Sequence, residues 1–189
     1  MNSRQRVTRA INHLEPDRVP FDCQFGYSAY VKLKDYLGFN ESVEMLPSNP
    51  DLTIRPSVEF LQAMNIDLCY VGLRAAQNEP KFIYGMDQYI DEWGIPHTKV
   101  ETLFGFTYQV KDNPLADAGI GDLEDYPWPD PYDAARVAGL EEYCRHLFQD
   151  TDLALVGRFN TPVFEQAILL RGFERFLVDT ATNPEFAAA

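Results

Sequence analysis

The sequence predicts an α/β protein with parallel strands, and three observations carry that prediction. Two short runs, "DLCYVGL" (67–73) and "LALVGR" (153–158), are apolar almost throughout, the pattern of strands covered on both faces. Amphipathic helical segments alternate with them, as parallel pairing through crossovers requires. Between the two runs, residues 81–110 are rich in aromatics, glycines and β-branched residues and read as an antiparallel hairpin excursion.

Each element has a local reason. Ser3 caps a first helix with Val7, Ala10, Ile11 and Leu14 as its apolar stripe. Glu15-Pro16 ends it, because the residue before a proline avoids the helical region. "VPFDCQF" (19–25) follows as a short strand, with Pro20 near its start. Ser28 caps a second helix with Tyr30, Leu33 and Leu37 on one side and Gly38 to end it. Pro56 or Ser57 opens a third, ahead of the strand at 67–73. "TLFGFTYQV" (102–110) alternates as a strand, and "NPLADAGIGDLEDYPWPDPYD" is a loop with one helical turn at 122–126. A long helix over 132–148 leads to the strand at 153–158. Helices through "PVFEQAILL" and "FERFLVDTA", parted by Gly172, come next. "NPEFAAA" (183–189) starts another, with Asn183 at the N-cap and Pro184 at the first helical position.

Composition narrows the class. With 189 residues, 46% of them apolar and 13% aromatic, the chain can bury a core and is not of the disordered type. A formal net charge of −13 repels nucleic acid and anionic membrane, so neither is expected as a partner. The N-terminus carries charges where a signal peptide needs an apolar run. No stretch approaches the ~20 apolar residues of a membrane span, and a cytoplasmic location is expected. Cys23, Cys69 and Cys144 are spaced too widely for a disulfide framework. In "CRH", Cys144 and His146 lie two apart on a helix and point to different sides, which does not suit a shared metal ion.

Several segments carry a resemblance to a known family. "SRQRVTRAINHLEPDRVPFD" (3–22), "LKDYLGF", "DEWGI", "NPLADAGIGDLEDYPWPDP" (113–131) and "VGRFNTPVFEQAILLRGFERFLVDTATNPEF" (156–186) occur in this order along the whole chain. Together they resemble uroporphyrinogen-decarboxylase-like proteins, a family that includes methyltransferases moving a methyl group from a corrinoid to a thiol. The resemblance implies the N-terminal portion of a TIM-type (β/α)8 barrel, a fold of roughly 250 residues or more. Residues 1–189 would then be the first part of a single barrel domain, with "NPEFAAA" an interrupted helix.

In such a barrel the chemistry sits at the C-terminal ends of the strands. Three such ends are readable, at 22–27, 72–74 and 157–160, with Glu165 just inside the helix after the third. Asp22, Arg74, Arg158 and Glu165 are the candidate substrate-binding residues. An arginine after a buried strand is costly without an anionic partner, which a ligand carboxylate or Glu165 could supply. A structural ion pair at the mouth would account for the same residues. The family's decarboxylases carry an Arg-Gln-Ala-Gly-Arg run after the first strand. Gln24-Phe25-Gly26-Tyr27 stands there, and Arg74 stands where those enzymes have an aspartate. Both departures weigh against a decarboxylase and toward a methyl-transfer parent, or an uncharacterised relative, that acts on a small-molecule substrate with a corrinoid protein as partner. A non-catalytic barrel that holds an anionic ligand is the rival reading. In the family's methyltransferases a His-x-Cys pair and a distant Cys hold zinc, all in the C-terminal half. No cofactor site is expected within this chain, and Cys23 and Cys69 read as core residues. His97 reads as a surface loop residue, and His13 as lying near a helix C-terminus.

Overall fold

The computed structural model describes residues 1–40, 44–45, 54–78, 82–103, 105–159 and 162–189. The chain divides into two compact units, one of Met1–Ala75 with Ala134–Phe159, the other of Ala76–Asp133 with Asn160–Ala189.

The first unit opens with α1 (Ser3–Ile11), capped by Asn2 rather than Ser3. The Asn2 side chain accepts from the Gln5 N–H while Gln5 reaches back to the Asn2 N–H, a reciprocal capping box. The expected stripe is not the one buried. Val7 is buried, but Ile11 and Leu14 are exposed and Arg6 takes their place on the inner face. α2 (Tyr27–Tyr36) starts from Gly26, so Ser28 lies inside it, and the chain turns out at Gly38 with φ +79°. Two-residue strands β1 (Glu44–Met45) and β2 (Ile54–Arg55) pair antiparallel. α3 (Val58–Ala63) is capped by the Ser57 hydroxyl, and β3 (Leu68–Gly72) follows.

The strand expected over 19–25 does not form. Pro20 has no N–H to give, and the backbone of Phe21 is spent on Asp67, which takes its N–H on the carboxylate and donates its own N–H to the Phe21 carbonyl. The long helix expected over 132–148 is broken. A 3₁₀ turn at Ala134–Val137 gives way at Gly139, φ +69°, to α4 (Leu140–Asp150). β7 (Ala154–Arg158) then pairs parallel with β3, with Leu68 opposite Ala154 and Gly72 opposite Arg158. The core beneath is Phe25, Tyr30, Ile54, Phe60, Leu61, Ile66, Cys69, Leu147 and Leu153. Phe60 is its hub, with the rings of Phe25 and Tyr30 edge-on at 5.4 and 4.7 Å.

The second unit holds the antiparallel excursion. β4 (Gln88–Ile90), β5 (Pro96–Thr102) and β6 (Gly105–Val110) form a three-stranded sheet in that order. The run read as one strand at 102–110 thus divides between the end of β5 and β6. A 3₁₀ turn, Ile120–Leu123, starts two residues before the helical turn expected at 122–126 and ends within it. α5 (Val163–Arg171) and α6 (Phe173–Thr182) meet at Gly172, φ +94°, and α7 (Pro184–Ala188) starts after Asn183. Its Phe186 is buried beneath the Arg171 guanidinium, 4.1 Å from the ring centre.

The fold is therefore mixed α/β, with a parallel pair and an antiparallel sheet. Among the described residues no barrel closes. No described helix is long and apolar enough to cross a membrane.

Candidate functional site

The two ends of β3 carry different chemistry. At its N-terminal end the Asp67 side chain is fully buried. It accepts from Ser3 Oγ at 2.7 Å, Arg6 Nη1 at 2.6 Å, Arg18 Nη1 and Nη2 at 2.6 and 2.9 Å, and the Phe21 N–H at 2.7 Å. Arg6 also binds Asp17 through Nε at 2.7 Å and Nη2 at 2.9 Å. Burial pushes the Asp67 carboxyl upward, yet the Phe21 N–H, Arg18, Ser3 and Arg6 together hold it below the usual carboxylate range. The Arg6 hydrogen bonds hold Asp17 far below that range as well. Every donor here is committed, so this end is a structural clasp.

At the C-terminal end the groups are less committed. Tyr70 donates its hydroxyl to Asp22 Oδ2 at 2.5 Å, and Arg158 lies over the Tyr70 ring, 5.5 Å from its centre. Burial, and then the Asp22 carboxylate, push the Tyr70 phenol up, which keeps it protonated and donating. The strand register explains the meeting. Tyr70 and Gly72 lie on one face of β3, and Arg158 stands opposite Gly72 on β7. A Cβ on Gly72 would come within 3.1 Å of the Arg158 carbonyl oxygen, so glycine permits the close approach. Arg158 makes no hydrogen bond or ion pair with a described residue.

Beside this group runs a narrow cleft of about 30 Å³, lined by Phe25, Ile54, Leu61, Cys69, Arg55 and Arg158 among others. Phe25, Ile54, Leu61 and Cys69 are buried core residues, and burial pushes the Cys69 thiol up, away from nucleophilic use.

Of the four residues expected from the sequence, Asp22 and Arg158 are brought together, through Tyr70. Arg74 is exposed two residues beyond β3, its backbone N–H on the Arg136 carbonyl and its guanidinium alongside Gly139. Glu165 is exposed in the first turn of α5, in the second unit. Asn160, part of the third strand end, lies outside the described residues.

Tyr70 was not singled out by the sequence reading. The signal was its period-2 relation to Gly72 and the parallel register that sets Arg158 opposite.

His97 corrects its expectation. It is buried on β5, with Nε2 2.9 Å from Asp91 Oδ2 and its ring stacked on Tyr89 at 4.6 Å. Asp91 Oδ1 accepts the Trp93 and Ile95 N–H groups, an Asx turn that "DEWGI" spells out. His13 lies just past the C-terminus of α1, as read.

Among the described residues no three His, Cys, Asp or Glu side chains are grouped to hold a metal ion. Cys144 is half-buried and His146 exposed on α4. These residues do not fit a zinc site. The chain matches no protein-family model, no curated protein and no solved structure.

Proposed function

We propose that the chain is the N-terminal part of a uroporphyrinogen-decarboxylase-like barrel protein whose parent transfers a methyl group from a corrinoid protein to a thiol. The observation that supports this reading is the parallel, in-register pairing of β3 and β7, with Asp22, Tyr70 and Arg158 gathered at their C-terminal ends. Strand ends of that polarity are where barrel enzymes hold substrate. The zinc that such chemistry uses to ionise a thiol would take ligands from a C-terminal half.

Decarboxylation of a tetrapyrrole is the alternative within the family. It asks for several guanidinium groups after the first strand, and Gln24 and Tyr27 stand there instead. A non-catalytic barrel that binds an anionic ligand is the rival from another class, and Arg158, which has no ion-pair partner among the described residues, favours it.

The test uses the full-length gene product, incubated with methylcobalamin and a thiol and, separately, with uroporphyrinogen. Zinc-dependent loss of the methyl–cobalt absorbance with thioether formation is the expected result. Acidic-arm loss from uroporphyrinogen would move the assignment to the decarboxylase. Inactivity in both would leave the binding role.

A further inference from the structure

We infer that the cleft beside β3 and β7 is a binding subsite for a short-chain carboxylic acid, with Arg158 as the partner of the carboxylate. The inference deepens the reading of these strand ends as a substrate mouth and rests on it.

Three features of the cleft select the ligand. Its wall is mostly apolar and already desolvated, made by Phe25, Ile54, Leu61 and Cys69. Water in such a space finds few hydrogen-bonding partners, so an alkyl group displaces it favourably. The volume, about 30 Å³, limits that alkyl group to a few carbon atoms. Arg158 lines the cleft, as does Arg55; Arg158 is half-buried and binds no described carboxylate, whereas Arg55 has a partner. A half-desolvated guanidinium without an anion is an unsatisfied cation, and a carboxylate matches its planar fork in two parallel hydrogen bonds.

Tyr70 is the positioning residue. Its ring supports the guanidinium from below, and its hydroxyl is turned away to Asp22. Asp22 accepts that hydrogen bond and makes no ion pair with Arg158, so among the described residues no carboxylate competes for the guanidinium. A neutral amide of the same shape would meet the same apolar wall but would not neutralise Arg158. A bare inorganic anion would meet Arg158 but would leave the wall wetted. The site therefore discriminates on both counts.

The experiment titrates the 189-residue chain at pH 7 and constant ionic strength with isobutyrate, isobutyramide and sulfate, following backbone amide shifts by NMR. Isobutyrate is expected to bind with a Kd on the order of millimolar, moving resonances of residues 23–25, 54–56, 68–70 and 158. Isobutyramide and sulfate are each expected to bind at least about tenfold more weakly. Arg158→Gln should lose isobutyrate by at least about tenfold with its near-UV circular dichroism unchanged, and Arg158→Lys should keep part of the affinity. If isobutyramide or sulfate matches isobutyrate, or if folded Arg158→Gln and Arg158→Lys bind like the wild type, the subsite is overturned. Isobutyrate binding without methyl transfer by the parent protein would overturn the methyl-transfer reading alone.

Discussion

Asp67 gathers donors from four separate chain positions, and no single one of them reveals the arrangement in sequence. Ser3, Arg6 and Arg18 belong to the opening segment, while Asp67 reads locally as the first residue of a strand. Removing the carboxylate takes one of two anionic partners from the buried Arg6, and leaves the exposed Arg18, Ser3 Oγ and the Phe21 N–H without their acceptor. Asp67→Ala is expected to destabilise the chain by about 3–5 kcal/mol in urea unfolding. The pH dependence has a definite sign. Asp67 and Asp17 are both held below their ordinary range, so their contribution is present above about pH 4 and is lost as the pH falls through their lowered folded-state values. Unfolding free energy should therefore drop steeply on acidification below about pH 4, and the drop should be shallower in Asp67→Asn. Equal slopes in both proteins would contradict the clasp. Gly172 is a second residue with a sharp demand. Its φ is +94°, and a Cβ there would lie 3.3 Å from Asn113 Oδ1, so Gly172→Ala should cost at least about 1 kcal/mol by the same measurement.

The helices and strands of strong period were legible, and their ends were not. β3, β7, α5, α6 and the start of α7 stand where apolar runs, Gly172 and Asn183-Pro184 put them. The misses share a cause, a backbone or side-chain demand made from far along the chain. In the 19–25 segment Phe21 gave its backbone N–H and carbonyl to Asp67. The helix at 132–148 broke where Gly139 takes a left-handed conformation beside Arg74. The loop "NPLADAGIG" shows the same effect. Arg171 Nη1 donates to the carbonyls of Leu115, Ala116 and Ala118 at 2.6, 3.0 and 2.9 Å, while its Nε pairs with Asp179 at 2.7 Å. Arg171 thus makes three of the bonds that hold this loop, and Arg175 adds one to the Ala116 carbonyl. Arg171→Gln is expected to speed amide hydrogen exchange at residues 115–118 by about tenfold or more, with β5 and β6 unaffected. Unchanged exchange would assign the loop's order to other contacts.

At the scale of the molecule, the ends of β3 divide stability from binding. The N-terminal end is saturated with charge pairs, as Asp67 shows, and the C-terminal end keeps an arginine with no ion-pair partner among the described residues, lining a mostly apolar cleft. Half of this division was readable beforehand. Arg158 followed from a strand end that forms, Asp22 from one that does not, and Tyr70, which joins them, depended on a pairing register that no local pattern encodes. Arg74 was placed by the same strand-end logic and does not join the group, and Glu165, placed likewise, belongs to the second unit. In sequence an arginine just past a strand looks the same whether it lines a cleft or lies alongside a glycine at a helix start.

The most direct test of this division is the stability of Arg158→Gln by urea unfolding. Arg158 has no described ion-pair partner, so the variant should unfold within about 0.5 kcal/mol of the wild type. A loss of about 3 kcal/mol or more would make Arg158 half of a structural ion pair and would contradict its assignment to ligand binding.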